Sequence, residues 1–384
     1  MPIYLDNSAT TRPDKRVLDF MQEIQANIFG NPSSMHSLGI EAEKLIKKAR
    51  AEISGIFNHK SDEIIFTSGG TEANNLAILG TLTGKKSKDN HIITTKIEHP
   101  SVLNCFKFLE NSGFTVTYLP VDSKGMVDLE QLQATVNDKT CLVSVIHVQN
   151  EIGTIQPLMK IGSIIKAANP YAVFHVDAVQ SFCRLPLDVN KWRADLVSCS
   201  AHKIYGPKGV GSLWARNFAR LNPILFGGLQ EKGIRPGTEN TAAIAGFGLA
   251  ANLASKDMNN KYLALQKKKV LFFDLIAKSG LKVVVNGPAA DESAPHILNL
   301  AFPSYKAQVL VQLLDQHGIY VSSGSACHSR DPKKSHVLEA IGLSADNLSG
   351  SVRFSFSDDI SEQEIVKAAD TTLTIFAEYS SLSG

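Results

Sequence analysis

The stretch AVFHVDAV, residues 172–179, is apolar almost throughout and does not alternate. Successive side chains of a strand point to opposite faces, so a strand with one wet face alternates apolar and polar residues. A strand that stays apolar is covered on both faces, as in parallel sheets flanked by helices. Comparable runs are EIIFTS (63–68), HIITT (91–95), TVTYLPV (115–121), CLVSVIHV (141–148), DLVSCSA (195–201) and VGSLWAR (210–216). Helical segments separate them. Over 41–56, Ala42, Leu45, Ile46, Ala49, Ile53 and Ile56 form one helical stripe. The pattern predicts an α/β domain built on a mostly parallel sheet. One residue of the opening stretch does not belong in an apolar core. Asp177 is a carboxylate that is costly to bury without a cation or hydrogen-bond donors.

After about residue 255 the texture changes. A Lys-rich helix over 258–278 precedes the strand-like segments KVVVNG, HILNLAF, GIYVSSG and SVRFSFS. Ser361 and Glu364 then form a capping-box pattern before a final apolar helix. This reads as a smaller α+β domain completed by the N-terminal arm. The expected division is 16–255 for the large domain, and 1–15 with 256–384 for the small one.

The chain has 384 residues, 43% hydrophobic, with a formal net charge of +2 and no long basic run. Neither nucleic acid nor a membrane surface is implied as a partner. The start, MPIYLDNSATT, lacks the basic and apolar regions of a secretory signal. TAAIAGFGLAANLA (241–254) is too short and too rich in Ala and Gly to span a bilayer, and reads as a tightly packed helix. The expected location is the cytoplasm. Five cysteines without a CxxC pair suggest neither a disulfide framework nor a zinc site. Cys105, Cys141, Cys183 and Cys199 read as inert, largely buried thiols. Cys327 differs, because it sits in the polar, charged stretch VSSGSACHSRDPKKSHV (321–337).

Ligands of open α/β sheets bind beyond the carboxyl ends of the strands. Beyond 63–68 lies SGGTEANN, where Gly69 and Gly70 allow close backbone approach and Thr71 is placed to cap a helix; a helix start of this kind is an anion site or a simple capped turn. His99 follows 91–95, Asn150 follows 141–148, and Gln180 follows Asp177. Ser200, His202 and Lys203 follow 195–201. A lysine at the end of a buried strand has its pKa lowered by burial and becomes a nucleophile able to form a Schiff base. Taken together, an anion cup, a histidine, a buried aspartate and then a lysine form a pyridoxal-phosphate constellation. The aspartate keeps the pyridine nitrogen protonated, and the ring acts as an electron sink.

The ordered set YLDNSATT (4–11), GNPSS (30–34) with His36, FTSGGTEANNLAI (66–78), EHPSV (98–102), HVDAVQ (175–180), SAHKIYGPKG (200–209), RPGTEN (235–240), SSGSAC (322–327) and VRFS (352–355) resembles the class V aminotransferase family, specifically cysteine desulfurases of the NifS/IscS type. The resemblance covers essentially the whole chain. It implies the pyridoxal-phosphate transferase fold of type I, with a mostly parallel seven-stranded sheet in the large domain. Lys203 would hold the cofactor as an aldimine. Asp177 would pair with the ring nitrogen, Gln180 with the ring oxygen, and His99 would stack on the ring and move protons as a catalytic residue. Gly70, Thr71, Ser200 and His202 would bind the phosphate, with Thr238 from the second subunit of a homodimer. Asn150 and Arg353 would hold the carboxylate of L-cysteine. Cys327, on a mobile loop, would be the nucleophile that becomes a persulfide while alanine leaves. The sulfur would pass to an acceptor such as an iron–sulfur scaffold or a tRNA-thiolation enzyme. No resident metal is implied, although Cys327 could touch a cluster in transit.

Several positions depart from the family pattern. Gln149 replaces a second Asn, Leu229 a third Gly, and His328 a Ser or Thr, while RFSFSDD (353–359) replaces the common RFSLG. His328, Arg330, Lys333 and Lys334, near Cys327 in the sequence, are either the charges expected to favour its thiolate or the ordinary solvated face of an exposed loop. A selenocysteine lyase, or another pyridoxal-phosphate lyase or aminotransferase of the same family, is the alternative activity. GFGLAA (246–251) matches a dinucleotide-binding pattern only superficially, since no strand immediately precedes it.

Overall fold

In the computed structural model, which describes residues 2–83, 90–216, 218, 221–324 and 335–382, the apolar runs become strands where the pattern predicts them. They are β1 (Ile3–Tyr4), β2 (Ile64–Thr67), β3 (His91–Thr95), β4 (Thr115–Leu119), β5 (Thr140–Ile146), β6 (Val173–Asp177), β7 (Leu196–Ser200) and β8 (Gly211–Ala215). Later in the chain come β9 (Val284–Val285), β10 (Ile297–Ala301), β11 (Ile319–Tyr320) and β12 (Ser351–Ser355).

Seven strands form one sheet in the order β2-β8-β7-β6-β5-β3-β4. From β7 to β4 every neighbouring pair is parallel, whereas β8 runs antiparallel to both β2 and β7. The side chains of β6, β7 and β8 are all buried, which is what their unbroken apolar character requires. Edge strand β4 is the exception, with only Leu119 buried. A second set of strands, β12-β10-β9, is antiparallel, and β1 pairs with β11 in parallel, which ties the N-terminal arm to the C-terminal part of the chain. That part has its own core around Leu5, Phe272, Leu300, Phe354 and Phe376. The final helix, Glu362–Leu382, opens with the expected capping box: the Glu364 N–H donates to Ser361 Oγ at 3.2 Å, and the Ser361 N–H to Glu364 Oε2 at 2.8 Å.

The helix Ser37–Phe57 buries Ala42, Ile46, Ala49 and Ile53, most of the predicted stripe. It packs against the Ala-rich helix Thr241–Ser255. The reason for the glycines in GFGLAA is contact rather than cofactor. A Cβ at Gly248 would lie 2.6 Å from the Ala49 Cα, and one at Gly246 would lie 2.7 Å from the Met21 side chain. Cys105, Cys183 and Cys199 are buried, while Cys141, near the start of β5, is half-buried. Among the described residues no helix is long and apolar enough to cross a membrane.

Gly248→Ala separates two effects of opposite sign. In an isolated helix it would stabilise by roughly 1 kcal/mol. Here the added methyl meets backbone, so the expected outcome is destabilisation by about 1–3 kcal/mol, as for overpacked cores. A lowered thermal unfolding midpoint checks this; a raised one would show that the helices yield freely.

Candidate active site

A cavity opens beyond the carboxyl ends of β2, β3, β5, β6 and β7. Gly70, Thr71, His99, Asn150, Asp177, Gln180, Ser200, His202, Lys203 and Arg353 all line it, together with Ser8, Asn74 and Ser101. Thr238 does not line this cavity; it stands on an exposed loop of the same chain. That loop is tied down by Arg235, whose Nε donates to Glu72 Oε1 at 2.8 Å. Cys327, with His328, Arg330, Lys333 and Lys334, lies outside the described residues.

Asp177 ends β6 and is 3% exposed. Its Oδ2 accepts from Asn74 Nδ2 at 2.8 Å and its Oδ1 from the Val179 N–H at 3.0 Å. Burial raises the carboxyl above the ordinary range, and the two donors and the Lys203 charge pull the other way. A cationic N–H presented from the cavity would favour the carboxylate further. Lys203 closes the short turn Ala201–Lys203 after β7. Its Nζ donates to the Ser8 and Ala9 carbonyls, the latter at 2.9 Å, so the N-terminal arm supplies one wall.

The helix Gly70–Leu82 begins differently from expectation. Its N-cap is Gly69, no side chain caps it, and Thr71 lies inside the first turn. Its first N–H groups are thereby left for an anion in the cavity. Gly70 is demanded by space, since a Cβ there would sit 2.7 Å from Val179 Cγ2. Ser200 Oγ is buried without a partner among the described residues, as are Ser8 Oγ, Asn74 Oδ1 and Arg353 Nε. Orphaned buried polar atoms are rare in folded proteins. Four of them around one cavity mark a site for a polar ligand. The uncapped helix and Ser200 suit a phosphate, Asp177 suits a protonated ring nitrogen, and Lys203 suits an aldehyde carbon. The residues present therefore fit pyridoxal phosphate.

The two imidazoles at the cavity are each hydrogen-bonded by a neighbour. Burial first, then the charges of Lys203 and Lys208, lower the His202 pKa to about 3, so its ring is neutral and its Nδ1 lies 3.1 Å from Thr10 Oγ1. His99 caps the helix Pro100–Asn111, its Nδ1 accepting from the Ser101 N–H at 3.2 Å. Gln180 donates through Nε2 to the Ser8 carbonyl at 3.0 Å. Arg353, on β12, is 1% exposed. Its Nη1 donates to the Asn150 carbonyl at 2.9 Å and its Nη2 to Asp6 Oδ1 at 2.8 Å. The two residues expected to hold a carboxylate thus meet, although 203 positions separate them. Gln149 does not enter the cavity. Its Oε1 accepts from the Ile152 N–H at 3.0 Å and its Nε2 donates to the Ile97 carbonyl at 3.1 Å, which fixes the turn carrying Asn150.

Ser8, Asn74 and Glu98 were not singled out from the sequence. Asn74 carried a signal, since adjacent asparagines are poor helix formers and want a reason to be there. Among the described residues no three His, Cys, Asp or Glu side chains gather to hold a metal ion.

Residues 3–367 match the aminotransferase class-V family. A putative cysteine desulfurase IscS 1 of Bacillus subtilis (strain 168) is 45% identical over 368 residues, covering 96% of this chain and 96% of the relative. A solved NifS-like protein superposes with a TM-score of 0.92 at 36% identity, covering 98% of this chain and all of the other. The structure of SspA in complex with cysteine gives a TM-score of 0.80 at 35% identity, over 92% of this chain and 98% of that one.

Glu98, fully buried beneath His99, accepts from Thr95 Oγ1 at 2.7 Å and from the Ile146 N–H at 2.9 Å, and burial pushes its carboxyl up to about 8. The folded state keeps a proton that the unfolded chain releases above its ordinary value of 4.5. This contribution to stability is complete below that value and is lost as pH rises through about 8. Glu98→Gln keeps the acceptor and removes the titration. Urea unfolding at about pH 5 and about pH 8 should show a smaller loss of stability in the variant than in the parent. Equal losses would contradict the assignment.

Proposed function

The chain belongs to the class-V aminotransferase family and is a cysteine desulfurase of the NifS/IscS type, and from this premise we propose that it uses pyridoxal phosphate to take sulfur from L-cysteine, leaving a persulfide on Cys327 and releasing L-alanine. The observation that carries the reading is the buried Asp177 carboxylate in one cavity with Lys203 and an uncapped helix start. When bound, the cofactor supplies an electron sink that makes the substrate Cα proton acidic.

The residues divide the remaining work. Asp177 would keep the ring nitrogen protonated and Gln180 would donate to the ring oxygen. His99 covers one ring face. Gly70, Thr71, Ser200 and the neutral His202 bind the phosphate, and Thr238 completes that shell from a second copy. Lys203 would hold the cofactor, and its amine is the base for the substrate Cα proton. Asn150 and Arg353 orient the carboxylate; the free Arg353 Nε is the available donor. The Cys327 thiolate attacks the substrate sulfur: an S–S bond forms as the C–S bond breaks, and protonation of the carbon skeleton gives alanine. Sulfur and protons balance, with no outside oxidant or reductant.

Homodimerisation belongs to the same reading. Phe226 and Leu229, in the segment leading to Thr238, are 87% and 89% exposed, and large apolar side chains so placed suit a protein interface. The large unit would be 16–255 and the small one 1–15 with 256–384. The proposed setting is the cytoplasm, with the persulfide handed to an iron–sulfur scaffold or a tRNA-thiolation enzyme.

Two variants test this reading. Lys203→Ala should remove the visible absorbance of the purified protein and abolish alanine release from cysteine. Cys327→Ala should keep the absorbance yet lose cysteine desulfuration by orders of magnitude, because the nucleophile is gone. Full desulfuration without Cys327 would overturn its role.

A further inference from the structure

Behind the cavity lies a buried cation that the proposed chemistry leaves unused. Arg184 follows the Asp177–Gln180 turn, and its side chain is 6% exposed. Its Nη2 donates to the Lys203 carbonyl at 2.9 Å, and its Nη1 reaches Asp358 Oδ1 at 3.1 Å. Its guanidinium also stands over the Tyr205 ring, 5.5 Å from the centroid. These partners answer both terminal nitrogens of the buried guanidinium, while its Nε has none among the described residues.

What it holds is a strained turn. Tyr205 has φ of 64°, in the left-handed region that a bulky residue seldom adopts. Three further bonds clamp that residue. Its N–H donates to Thr11 Oγ1 at 2.8 Å, its carbonyl accepts from the Asp14 N–H at 2.9 Å, and its hydroxyl accepts from the Asp358 N–H at 2.7 Å. Strain of this kind persists only where the surroundings over-determine it, and it gathers at functional sites. Asp358 lies five residues beyond Arg353, inside the RFSFSDD stretch that departs from the family pattern.

We propose that Arg184 is a positioning residue for Lys203, its forked guanidinium fixing the lysine's backbone against the segment that follows the strand of Arg353. The inference rests on the reading that Lys203 carries the cofactor. The fork matters because one planar group binds a carbonyl and a carboxylate at once, which a lysine ammonium cannot match in geometry. The direction of the Lys203 side chain follows from its backbone, and small misplacements of a reacting group cost rate steeply.

The test uses the cofactor-loaded enzyme and two variants, Arg184→Lys and Asp358→Asn. Both should retain visible absorbance. Per bound cofactor, kcat for alanine release should fall roughly tenfold or more in Arg184→Lys, and less in Asp358→Asn, with KM for cysteine little changed. The visible circular dichroism per bound cofactor should shrink in the same order, because it reports how the group is seated. A merely structural Arg184 would lower the thermal midpoint and leave kcat and dichroism per bound cofactor at parental values, which would overturn the proposal. If Arg184→Lys does not fold, parental kcat and dichroism in Asp358→Asn would overturn it alone. Failure of the underlying reading looks different: visible absorbance would survive in Lys203→Ala.

Discussion

A sheet covered on both faces has only its strand ends to offer a ligand, and that constraint organises this protein. The strands β5, β6 and β7 are buried almost from end to end and carry no charged side chain before their last residue. Polar chemistry is therefore pushed to their carboxyl ends. Asp177 is where the constraint is most severe, since it ends a central strand, is nearly inaccessible, and still carries an ionisable group. Asn74, the Val179 N–H and the nearby Lys203 are the answers the fold provides. The cavity is arranged around the need to answer that one carboxylate.

Other buried ionisable groups show the same economy. His175 sits in β6 between Ser144 Oγ at 2.8 Å and Ser198 Oγ at 2.9 Å, and burial lowers its pKa to about 3. A neutral imidazole has one donor and one acceptor, so two hydroxyls satisfy it completely. Lys269, on the helix Met258–Ala277, is fully buried and donates to the Ser293 carbonyl, Ser293 Oγ and the Ala294 carbonyl. These groups stabilise layers rather than perform reactions, and their environments push them toward neutrality. At the cavity, by contrast, Ser8 Oγ, Asn74 Oδ1, Ser200 Oγ and Arg353 Nε lack partners among the described residues and converge on one space.

The turn 149–153 is where the two halves of the chain meet. The Ala294 N–H donates to the Gly153 carbonyl at 2.8 Å, Asn299 Nδ2 to the Glu151 carbonyl at 3.1 Å, and Arg353 to the Asn150 carbonyl. Gly153 has φ of 74°, so the sharp turn needs a residue without a Cβ. Ser335 Oγ donates to Glu151 Oε2 at 2.6 Å and caps the helix His336–Ala340. One short turn thus carries Asn150 and receives contacts from β10, from β12 and from the start of that helix.

The α/β layering and most of the residues that line the cavity are legible in the amino-acid sequence. Unbroken apolar runs demanded a sheet covered on both faces, and Asp177 and Lys203 stood out because a charge inside or just after such a run has no ordinary explanation. Strand direction was not written there: β8 runs against its neighbours, yet its residues look like those of β7, because burial on both faces leaves no mark of polarity along the strand. Thr71 lies in the first turn and not at the cap, because Thr beside glycines fits either position equally well. That Gln149 braces a turn instead of lining the cavity, that Gly248 admits the helix Ser37–Phe57, and that Arg184 reaches Asp358 emerge from the folded chain alone. Those pairings join residues far apart in the chain, and the energy that selects them comes from desolvation and close packing, which no local pattern records.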